Sequence, residues 1–392
     1  MRRERVTPEA SAQRAAAVRP LRPRLVRIPR EIAAVADYAA YAYERLDDNA
    51  WSYLAGGAAD ELTLRWNRES FDRLRLKPRV LAAVAGGHTR TTLFGVDHPH
   101  PILLAPVAYQ RLAHPDGELA VAQAAAATDT PLVLSTLSST RLEDIAAVPG
   151  LPLWFQLYIQ PDRGLTRALV ARAEASGCRV LVVTVDAPIS GVRNREQRAG
   201  FRLPPGIAAV NLPGLPEAPS QPPGKGQSQI FDGLMARSPT WADLEWLRGL
   251  TTLPLVVKGI LAPEDAVRAA ELGADGVAVS NHGGRTLDTL PAAIDALPAI
   301  ADAVGGRLTL LLDGGIRRGT DVLKALALGA RAVLIGRPYI YGLAAAGPLG
   351  VAHVVRLLRD ELEAAMALCG CATIGDIGRP LLFDAVAARG SD

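Results

Sequence analysis

From residue 101 onward, one pattern recurs eight times: a short apolar run ends in a polar or glycine residue, and a stretch with helical character follows. The runs are apolar without clean alternation, as expected for parallel strands that are buried on both faces. The pattern predicts an α/β fold, a closed (β/α)8 TIM barrel, with an open doubly wound sheet as the alternative. The predicted strands span residues 101–108, 131–136, 152–159, 180–186, 254–259, 276–282, 308–315 and 332–338.

Three segments depart from this repeat. Residues 31–75 have a helical pattern and precede the barrel, and residues 76–100 are predicted to form a β-hairpin that closes the barrel bottom. Residues 187–239 separate the fourth and fifth strands and include a stretch rich in proline and glycine. A loop of this length is typical of a lid, a binding loop or disorder. After the eighth strand, the last helix is expected to begin after Gly350.

The N-terminal thirty residues differ from the rest because nine of them are arginines. They are predicted to form a flexible basic extension, which leaves residues 31–385 as one barrel domain. A basic tail can bind polyanions, but the formal net charge of the chain is only +3. A nucleic-acid partner is therefore not expected.

The cysteine pattern and the apolar runs limit where the chain acts. The three cysteines, Cys178, Cys369 and Cys371, form neither a disulfide framework nor a zinc ligand set. This indicates a reducing, cytoplasmic location and no metal site. No apolar run reaches the about 18 residues of a membrane span, and the N-terminus lacks the apolar segment of a signal peptide.

Polar side chains collect at the predicted C-terminal ends of the strands, where barrel enzymes place their active sites. A ring that contains a lysine, a histidine, two aspartates and several arginines on one face is not the pattern of core packing. These strand-end residues are Ser135, Gln156, Tyr158, Thr184, Asp186, Arg193, Lys258, Ser280, His282, Arg285, Asp313, Arg317 and Arg337.

The ends of the seventh and eighth strands predict a phosphate site. They supply glycine N–H groups and guanidinium groups at the position where barrels commonly bind phosphate. Lys258, at the end of the fifth strand, adds a cation that suits either a Schiff base or the neighbourhood of an electron-rich ring. The candidate phosphate residues are Asp313, Gly314, Gly315, Arg317, Gly336 and Arg337.

His282 is the best candidate for a general base, because a neutral imidazole titrates near working pH. Asp186, on another strand, is placed to accept the other ring N–H and to stabilise the imidazolium. Arg193 and Arg285 can form bidentate pairs with a substrate carboxylate. The competing interpretations are a structural histidine and, for Arg193, an ordinary residue of a mobile loop.

These residues also carry a family resemblance. The segment SNHGGRTLD (280–288) resembles the active-site motif of FMN-dependent L-2-hydroxy-acid oxidases and dehydrogenases, the group of glycolate oxidase, lactate oxidase and mandelate dehydrogenase. LVVTVDAP (181–188) and LLDGGIRRGTDVLKALALGA (311–330) support it. The resemblance covers residues 31–380 and follows the strands in order.

The resemblance implies FMN as the cofactor, an L-2-hydroxy acid as the small-molecule substrate and a homo-oligomer, typically a tetramer. It assigns His282 as the base with Asp186 as its partner, and Arg193 and Arg285 as the carboxylate clamp. Tyr53 would bind the substrate carboxylate and Tyr158 would lie near the substrate hydroxyl. The implied flavin contacts are Pro106, Val107, Ala108, Ser135, Gln156, Thr184, Lys258 and Ser280, with Asp313, Gly314, Gly315, Arg317, Gly336 and Arg337 on the ribityl phosphate.

Two positions depart from the short-chain oxidases. Leu137 stands where glycolate oxidase has a tryptophan, and Tyr109 replaces a methionine. Both favour a bulky or aryl, mandelate-like substrate, with a lactate-sized acid as the alternative. Ala108 keeps a methyl group near flavin N5, as in the family's oxidases, so oxygen is the expected electron acceptor and hydrogen peroxide the product. A dehydrogenase with another acceptor and a monooxygenase of small acids are the alternatives.

Two more distant functions share part of this pattern. A non-oxidative FMN barrel, such as the type 2 isopentenyl-diphosphate isomerase, has the phosphate half but lacks the SNHGGR-type base and clamp. A barrel that binds FMN or a phosphate ligand without turnover would not need His282, Arg193, Arg285 and two tyrosines together.

Overall fold

The computed structural model describes residues 19–212 and 226–383. Within these residues, eight parallel strands close into a barrel in chain order, and the last strand pairs with the first. The predicted (β/α)8 barrel is confirmed, and the open sheet is excluded. The strands are β1 (Thr91–Leu93) and β2 (Val96–His98), which form a hairpin, and the barrel strands β3 (Ile102–Leu104), β4 (Leu132–Ser135), β5 (Leu153–Leu157), β6 (Leu181–Thr184), β7 (Leu255–Ile260), β8 (Gly276–Ser280), β9 (Thr309–Asp313) and β10 (Ala332–Ile335).

The helices of the described residues surround the barrel and precede it. The helix Pro263–Glu271 shows why they begin where they do: a proline opens the helix and two acidic residues follow in its first turn, which suits the positive end of the helix dipole. The α-helices are α1 (Tyr38–Tyr43), α2 (Asp48–Ala55), α3 (Leu62–Arg73), α4 (Gly117–Ala127), α5 (Leu142–Ala146), α6 (Arg163–Ala175), α7 (Asn194–Ala199), α8 (Trp241–Arg248), α9 (Pro263–Glu271), α10 (Ala293–Val304), α11 (Gly319–Ala327) and α12 (Arg337–Leu368).

The barrel interior has its own apolar core, separate from the layer between strands and helices. Strand residues such as Leu103, Val182 and Trp154 fill it and are almost completely buried. The β1–β2 hairpin closes the end of the barrel opposite the site: Leu93 joins this inner core, and the Phe94 ring meets Trp154 edge-on at 5.6 Å. The predicted hairpin is therefore present, over a shorter range than residues 76–100. With one end filled, the opposite end remains for ligands.

The last helix differs from the prediction. α12 begins at Arg337, directly after β10, whereas the expected start lay after Gly350. Ala346 and Gly347 are not helical, and Gly347 has a φ of +60° before Pro348, which lacks a backbone N–H. This break made the apolar stretch from 337 to 345 look like a loop, although it is helical and buried.

α12 is also the one helix of the described residues that is long and apolar enough to cross a membrane by length and composition. In this fold, 67% of its most apolar window is buried. It packs against α1, α4 and α11. Its apolar character is therefore that of a core helix, which packs against its neighbours through apolar side chains.

The long connection after β6 lies partly inside the described residues. Its first part holds α7, and its last part holds a π-helix at Gln229–Leu234. Two contacts anchor α7 and the residues after it to the N-terminal helices: Arg195 pairs with Glu61 at 2.5 Å, and Asn49 exchanges two hydrogen bonds with the backbone of Arg202. The N-terminal helical segment predicted at residues 31–75 therefore forms part of the site's surroundings.

Residues 19–30, on the N-terminal side of the predicted domain boundary, also contact the domain. The Arg19 guanidinium donates to the carbonyl of Leu46, Arg24 donates to that of Ala113, and the Leu25 N–H donates to that of Ala345. Packed chain thus begins before residue 31. The rest of the predicted basic extension, residues 1–18, lies outside the described residues.

Candidate active site

A cavity opens at the C-terminal ends of the barrel strands. Most of the predicted site residues line it. Of the remainder, Asp186 and Ser280 bond wall residues from behind, and the Tyr109 ring lies 6.1 Å from that of Tyr53. The predicted residues in the wall are Tyr53, Pro106, Val107, Ala108, Ser135, Leu137, Gln156, Tyr158, Thr184, Arg193, Lys258, His282, Arg285, Asp313, Gly314, Gly315, Arg317, Gly336 and Arg337.

His282 follows β8 and pairs with Asp186, which follows β6. The His282 Nδ1 atom lies 2.8 Å from Asp186 Oδ1, and the His282 backbone N–H donates to Ser280 Oγ at 2.9 Å. Burial opposes ionisation of Asp186, but His282 and Lys258 outweigh it and hold the pKa of this carboxyl below its usual value. An ionised Asp186 favours the proton on Nδ1, which leaves Nε2 as the basic nitrogen.

The backbone of His282 is in the left-handed region, with a φ of +57°. This conformation is uncommon for a residue with a side chain and is maintained at functional sites by the surrounding structure. Gly283 and Gly284 follow with φ of +64° and +73°. The turn presents the imidazole to the cavity directly after a buried strand.

Gly259, which the sequence did not single out, makes room for Asp186. The pairing of β7 with β8 is irregular between Lys258 and Ile260, and Gly259 lies there with a φ of +112°. A Cβ atom at Gly259 would be 2.5 Å from both Cβ and Cγ of Asp186. Only glycine therefore allows the carboxylate to approach the strand this closely.

Lys258 lies at the floor of the cavity in a buried three-residue network. Its Nζ atom is 2.6 Å from Asp313 Oδ2 and 3.2 Å from Ser280 Oγ, and Ser280 donates to the same carboxylate at 2.6 Å. Burial acts to lower the pKa of Lys258, but the carboxylates of Asp313 and Asp186 raise it above its ordinary value. The lysine is therefore a fixed cation, which suits charge stabilisation beside a ring better than Schiff-base chemistry.

Arg317 and Arg337 follow β9 and β10, where the sequence predicted a phosphate site. Within the described residues, both guanidiniums donate to backbone carbonyls and neither forms an ion pair with a carboxylate. Burial first, and their mutual repulsion for Arg337, lower the pKa of both groups. Two buried cations without an anion partner, next to glycines that leave the backbone accessible, fit a phosphate group.

Ser135, Gln156 and Thr184 lie on adjacent strands, between the Lys258 network and the predicted phosphate site. Gln156 Oε1 accepts from Ser135 Oγ at 3.2 Å and from the Thr136 N–H at 3.2 Å, while its Nε2 atom is buried without a partner. An orphaned amide donor in the cavity wall needs an acceptor from a ligand. Together with Lys258 and the two arginines, it fits the polar edge and the phosphate of FMN.

Arg285 and Arg193 converge on the side of the cavity near α2. Arg285 Nη1 donates to the carbonyls of Tyr53 and Gly56 at 2.6 and 2.7 Å, and its guanidinium lies 4.9 Å from the Tyr53 ring centroid. Burial, with the charge of Arg193, lowers the pKa of Arg285 to about 10. Arg285 thus remains a cation at neutral pH, and it lies with Arg193 in a position to bind a carboxylate.

Tyr158, Leu137 and Tyr109 complete the predicted substrate side. Burial, aided by the nearby charge of Asp186, raises the pKa of Tyr158, so its hydroxyl stays a neutral donor. The Tyr109 N–H donates to the Leu137 carbonyl at 3.1 Å, which places the two residues side by side. Tyr109 has a φ of +53°, a left-handed conformation stabilised by the packing of its loop.

Several residues around the site carry no signal in the sequence because their role depends on distant partners. Glu196 bonds both Arg193 and Arg285. Asn67 exchanges two hydrogen bonds with Asn281, next to His282. The buried Glu118 carboxylate accepts from Gln110, Ser139 and Thr140 and so joins the loops that carry Tyr109 and Leu137. The nearest available signal was the glutamate three residues after Arg193.

No cluster of three or more histidine, cysteine or acidic side chains able to hold a metal ion occurs among the residues at 19–212 and 226–383. The titratable groups of the cavity are instead committed to pairs, as in His282–Asp186 and Lys258–Asp313. The geometry of the cavity therefore fits two organic ligands, one that carries a phosphate and one that carries a carboxylate.

Comparison with known proteins agrees with this geometry. The model of the FMN-dependent dehydrogenase family matches residues 42–384. An L-lactate oxidase of Roseobacter sp. is 53% identical over 89% of this chain and 94% of its own length. Glycolate oxidase 1 of Zea mays is 45% identical over 89% of this chain and 95% of its own length.

A solved structure of a mandelate oxidase, with 3,3-difluoro-2-hydroxy-3-phenylpropionic acid, superposes with a TM-score of 0.81 at 44% identity and covers 90% of this chain and 98% of that one. The chain belongs to the family of FMN-dependent 2-hydroxy-acid oxidases and dehydrogenases. Its cofactor is FMN.

The contact between Gly259 and Asp186 can be tested by adding one methyl group. We expect Gly259→Ala to displace Asp186 and slow anaerobic flavin reduction by about ten- to hundredfold, because small misplacements of catalytic groups are costly. Rapid-mixing absorbance at the flavin band measures the rate. Gly306→Ala is the matched control, since its φ is also positive, at +80°, and a Cβ there meets no atom within 4 Å. Reduction of the Gly259→Ala variant at the wild-type rate would show that the approach is not needed.

Proposed function

We propose that this chain oxidises an L-2-hydroxy acid with an apolar side chain to the 2-oxo acid and passes the electrons to oxygen, which forms hydrogen peroxide. The observation that carries the proposal is one cavity that brings the His282–Asp186 pair together with the two part-buried arginines of the substrate side and the residues predicted to bind FMN. A base, a carboxylate clamp and a flavin site are the parts that this reaction needs.

The chain's own residues prepare the substrate. Arg193 and Arg285 bind the carboxylate, which fixes the orientation of the neighbouring Cα. His282 Nε2 takes the hydroxyl proton while Asp186 stabilises the imidazolium, and the neutral Tyr158 hydroxyl donates to the substrate oxygen. FMN, when bound, supplies the acceptor for the two electrons. The overall change is R–CH(OH)–COO⁻ plus O₂ to R–CO–COO⁻ plus H₂O₂.

The proposed side-chain preference rests on Leu137, which lines the cavity, and on Tyr109, whose backbone N–H donates to the Leu137 carbonyl beside it. An apolar side chain on the substrate gains by burial there, about 0.8 kcal/mol for each CH₂, whereas glycolate has none to bury. Relatives named L-lactate oxidase, at 50–53% identity, support lactate as a substrate.

An aryl acid is the other candidate, and it is the one that the residues at positions 137 and 109 favoured over a lactate-sized acid. Leucine leaves more room than tryptophan at position 137, and Tyr109 adds an aromatic edge. A mandelate oxidase structure in complex with benzoyl-formic acid is 44% identical to this chain. Both candidates share the base, the clamp and the flavin site, and they differ only in the space around the side chain.

Oxygen is the proposed acceptor because Ala108 lines the cavity with a methyl group and because the relatives described above are named oxidases. We also propose a cytoplasmic location and a homo-oligomer. The location rests on Cys178, Cys369 and Cys371, which are all free and buried. The oligomer rests on the family resemblance.

Turnover and acceptor can be tested in one experiment with two stages. Mixing the FMN-loaded protein with L-lactate and L-mandelate without oxygen should bleach the flavin, and adding oxygen should restore it within seconds with one hydrogen peroxide per flavin. Stopped-flow absorbance and a peroxide assay follow the stages. Bleaching by no 2-hydroxy acid would refute the proposed function; bleaching followed by recovery over many minutes would identify a dehydrogenase.

Substrate size can be tested through Leu137. We expect kcat/KM for L-lactate and L-mandelate to exceed that for glycolate by about fourfold or more, the gain from one buried CH₂ group. Leu137→Trp should lower kcat/KM for L-mandelate more than for L-lactate, because the indole fills the space next to Tyr109. Steady-state peroxide formation gives both values. Equal losses would show that Leu137 does not contact the side chain, and a preference for glycolate would contradict the apolar pocket.

His282 can be tested by removing its basic nitrogen. His282→Asn should retain FMN and slow flavin reduction by about 100-fold or more, the usual contribution of a general base. FMN content and the unfolding midpoint serve as controls for folding, and rapid mixing gives the rate. A variant that binds FMN and is reduced at nearly the wild-type rate would assign the base to another residue.

A further inference from the structure

Glu196 lies at the point where the two arginines of the substrate side meet. Its Oε1 atom accepts from Arg193 Nη1 at 3.1 Å and from Arg285 Nη2 at 3.3 Å, and Oε2 is 3.5 Å from Arg193 Nη1. These distances exceed the about 2.7–2.9 Å of a strong charge-assisted hydrogen bond. The protein therefore places its own carboxylate, loosely held, on the groups that would bind the carboxylate of a substrate.

The hydrogen bonds of Arg285 show which edge a ligand needs. Nη1 is already used, since it donates to the carbonyls of Tyr53 and Gly56. A bidentate pair with a ligand carboxylate must therefore use Nε and Nη2. Glu196 occupies Nη2. The two carboxylates compete for the same N–H group.

The N–H groups of Arg193 are likewise divided between a contact with Glu196 and a position that is free for a ligand. Its Nη1 donates to both oxygens of Glu196, whereas its Nε is buried and has no partner among the described residues. A buried guanidinium N–H without an acceptor is costly and is expected to find one when a ligand binds. The free edge of Arg193 and the contested edge of Arg285 thus belong to one carboxylate site.

A second cavity gives the Glu196 side chain an alternative position. It is open to solvent, and both Arg193 and Glu196 belong to its wall. Ser190, Gln197 and Arg202 line it as well and offer donors for a carboxylate. The Arg195–Glu61 pair and the Asn49–Arg202 hydrogen bonds hold the backbone on both sides. The side chain can therefore turn while the helix stays in place.

We propose that Glu196 competes with the substrate's carboxylate for the two arginines. It neutralises Arg193 and Arg285 in the free enzyme and turns into the second cavity when a carboxylate ligand binds. The inference rests on the proposed function for the identity of that ligand, a 2-hydroxy acid or its 2-oxo acid product. Competition by Glu196 weakens ground-state binding of the substrate and speeds release of the product. Glu196 also gives the two arginine cations a partner between turnovers.

The test measures binding of pyruvate to the oxidised, FMN-loaded protein through the change in flavin absorbance. Glu196→Gln removes the charge but keeps the size, so it should tighten pyruvate binding by about two- to fivefold, the range for losing an ion pair with partial solvent access. Pyruvamide has no carboxylate and should bind both proteins alike. Glu271→Gln, an exposed glutamate at the far end of α9, makes the same charge change and should leave the Kd for pyruvate as in the wild type.

Tighter pyruvate binding in Glu196→Gln, with pyruvamide and Glu271→Gln unaffected, supports the competition. Weaker binding would show that Glu196 holds the arginines in place for the ligand, and an unchanged Kd would show that it does not meet the ligand; either result overturns the proposal. If Glu196→Gln loses FMN, the same comparison is made with Glu196→Asp, which is too short to keep both arginine contacts. The pyruvate experiment needs no turnover, so it gives a result even if no 2-hydroxy acid reduces the flavin.

Discussion

Compensation of buried positive charge is the constraint on which this barrel mouth depends. Lys258, Arg193, Arg285, Arg317 and Arg337 all line one cavity, and a cation removed from water must find an anion or hydrogen-bond acceptors. Within residues 19–212 and 226–383, the protein supplies Asp313 for Lys258 and Glu196 for the pair near α2, but only backbone carbonyls for Arg317 and Arg337. Because the charges are compensated unequally, the cavity has three parts: the Lys258–Asp313 ion pair, the two arginines that share Glu196, and the phosphate site. Ligand anions complete the charge balance that folding leaves open.

Backbone geometry brings the base and its partner together across two strands. His282 and Gly259 both have positive φ, on neighbouring strands β8 and β7, and Asp186 enters the space that the glycine leaves. A barrel suits such strain because the surrounding parallel strands are buried on both faces and do not yield. The short contact between His282 and Asp186 therefore depends on a locally distorted backbone, which the rigid core of the barrel holds in place.

The substrate side depends less on the barrel than on what is packed over it. α2 and its C-terminal turn supply Tyr53 and Gly56, α7 supplies Glu196, and the turn after β8 supplies Arg285. A close approach joins them: a Cβ atom at Gly191 would be 1.8 Å from the Thr286 carbonyl. The flavin half of the cavity is therefore built from strand ends, and the substrate half from three segments that meet only in the folded chain. Substrate preference can vary through these segments while the strands stay unchanged.

The amino-acid sequence by itself determined the barrel, the face on which the site lies and nearly all of its polar residues. It could do so because buried parallel strands have a distinctive apolar pattern and because each strand delivers its functional residue at its own C-terminal end. It did not reveal the helical start of α12 at Arg337, since Gly347 and Pro348 interrupt a helix that packing continues. Nor did it reveal Gly259, Glu196 or Glu118, whose roles are contacts with residues far away in the chain. Only the tertiary structure decided which arginine edge is free, which carboxylate is ionised and which glycine is indispensable, because those properties follow from distances across the closed barrel.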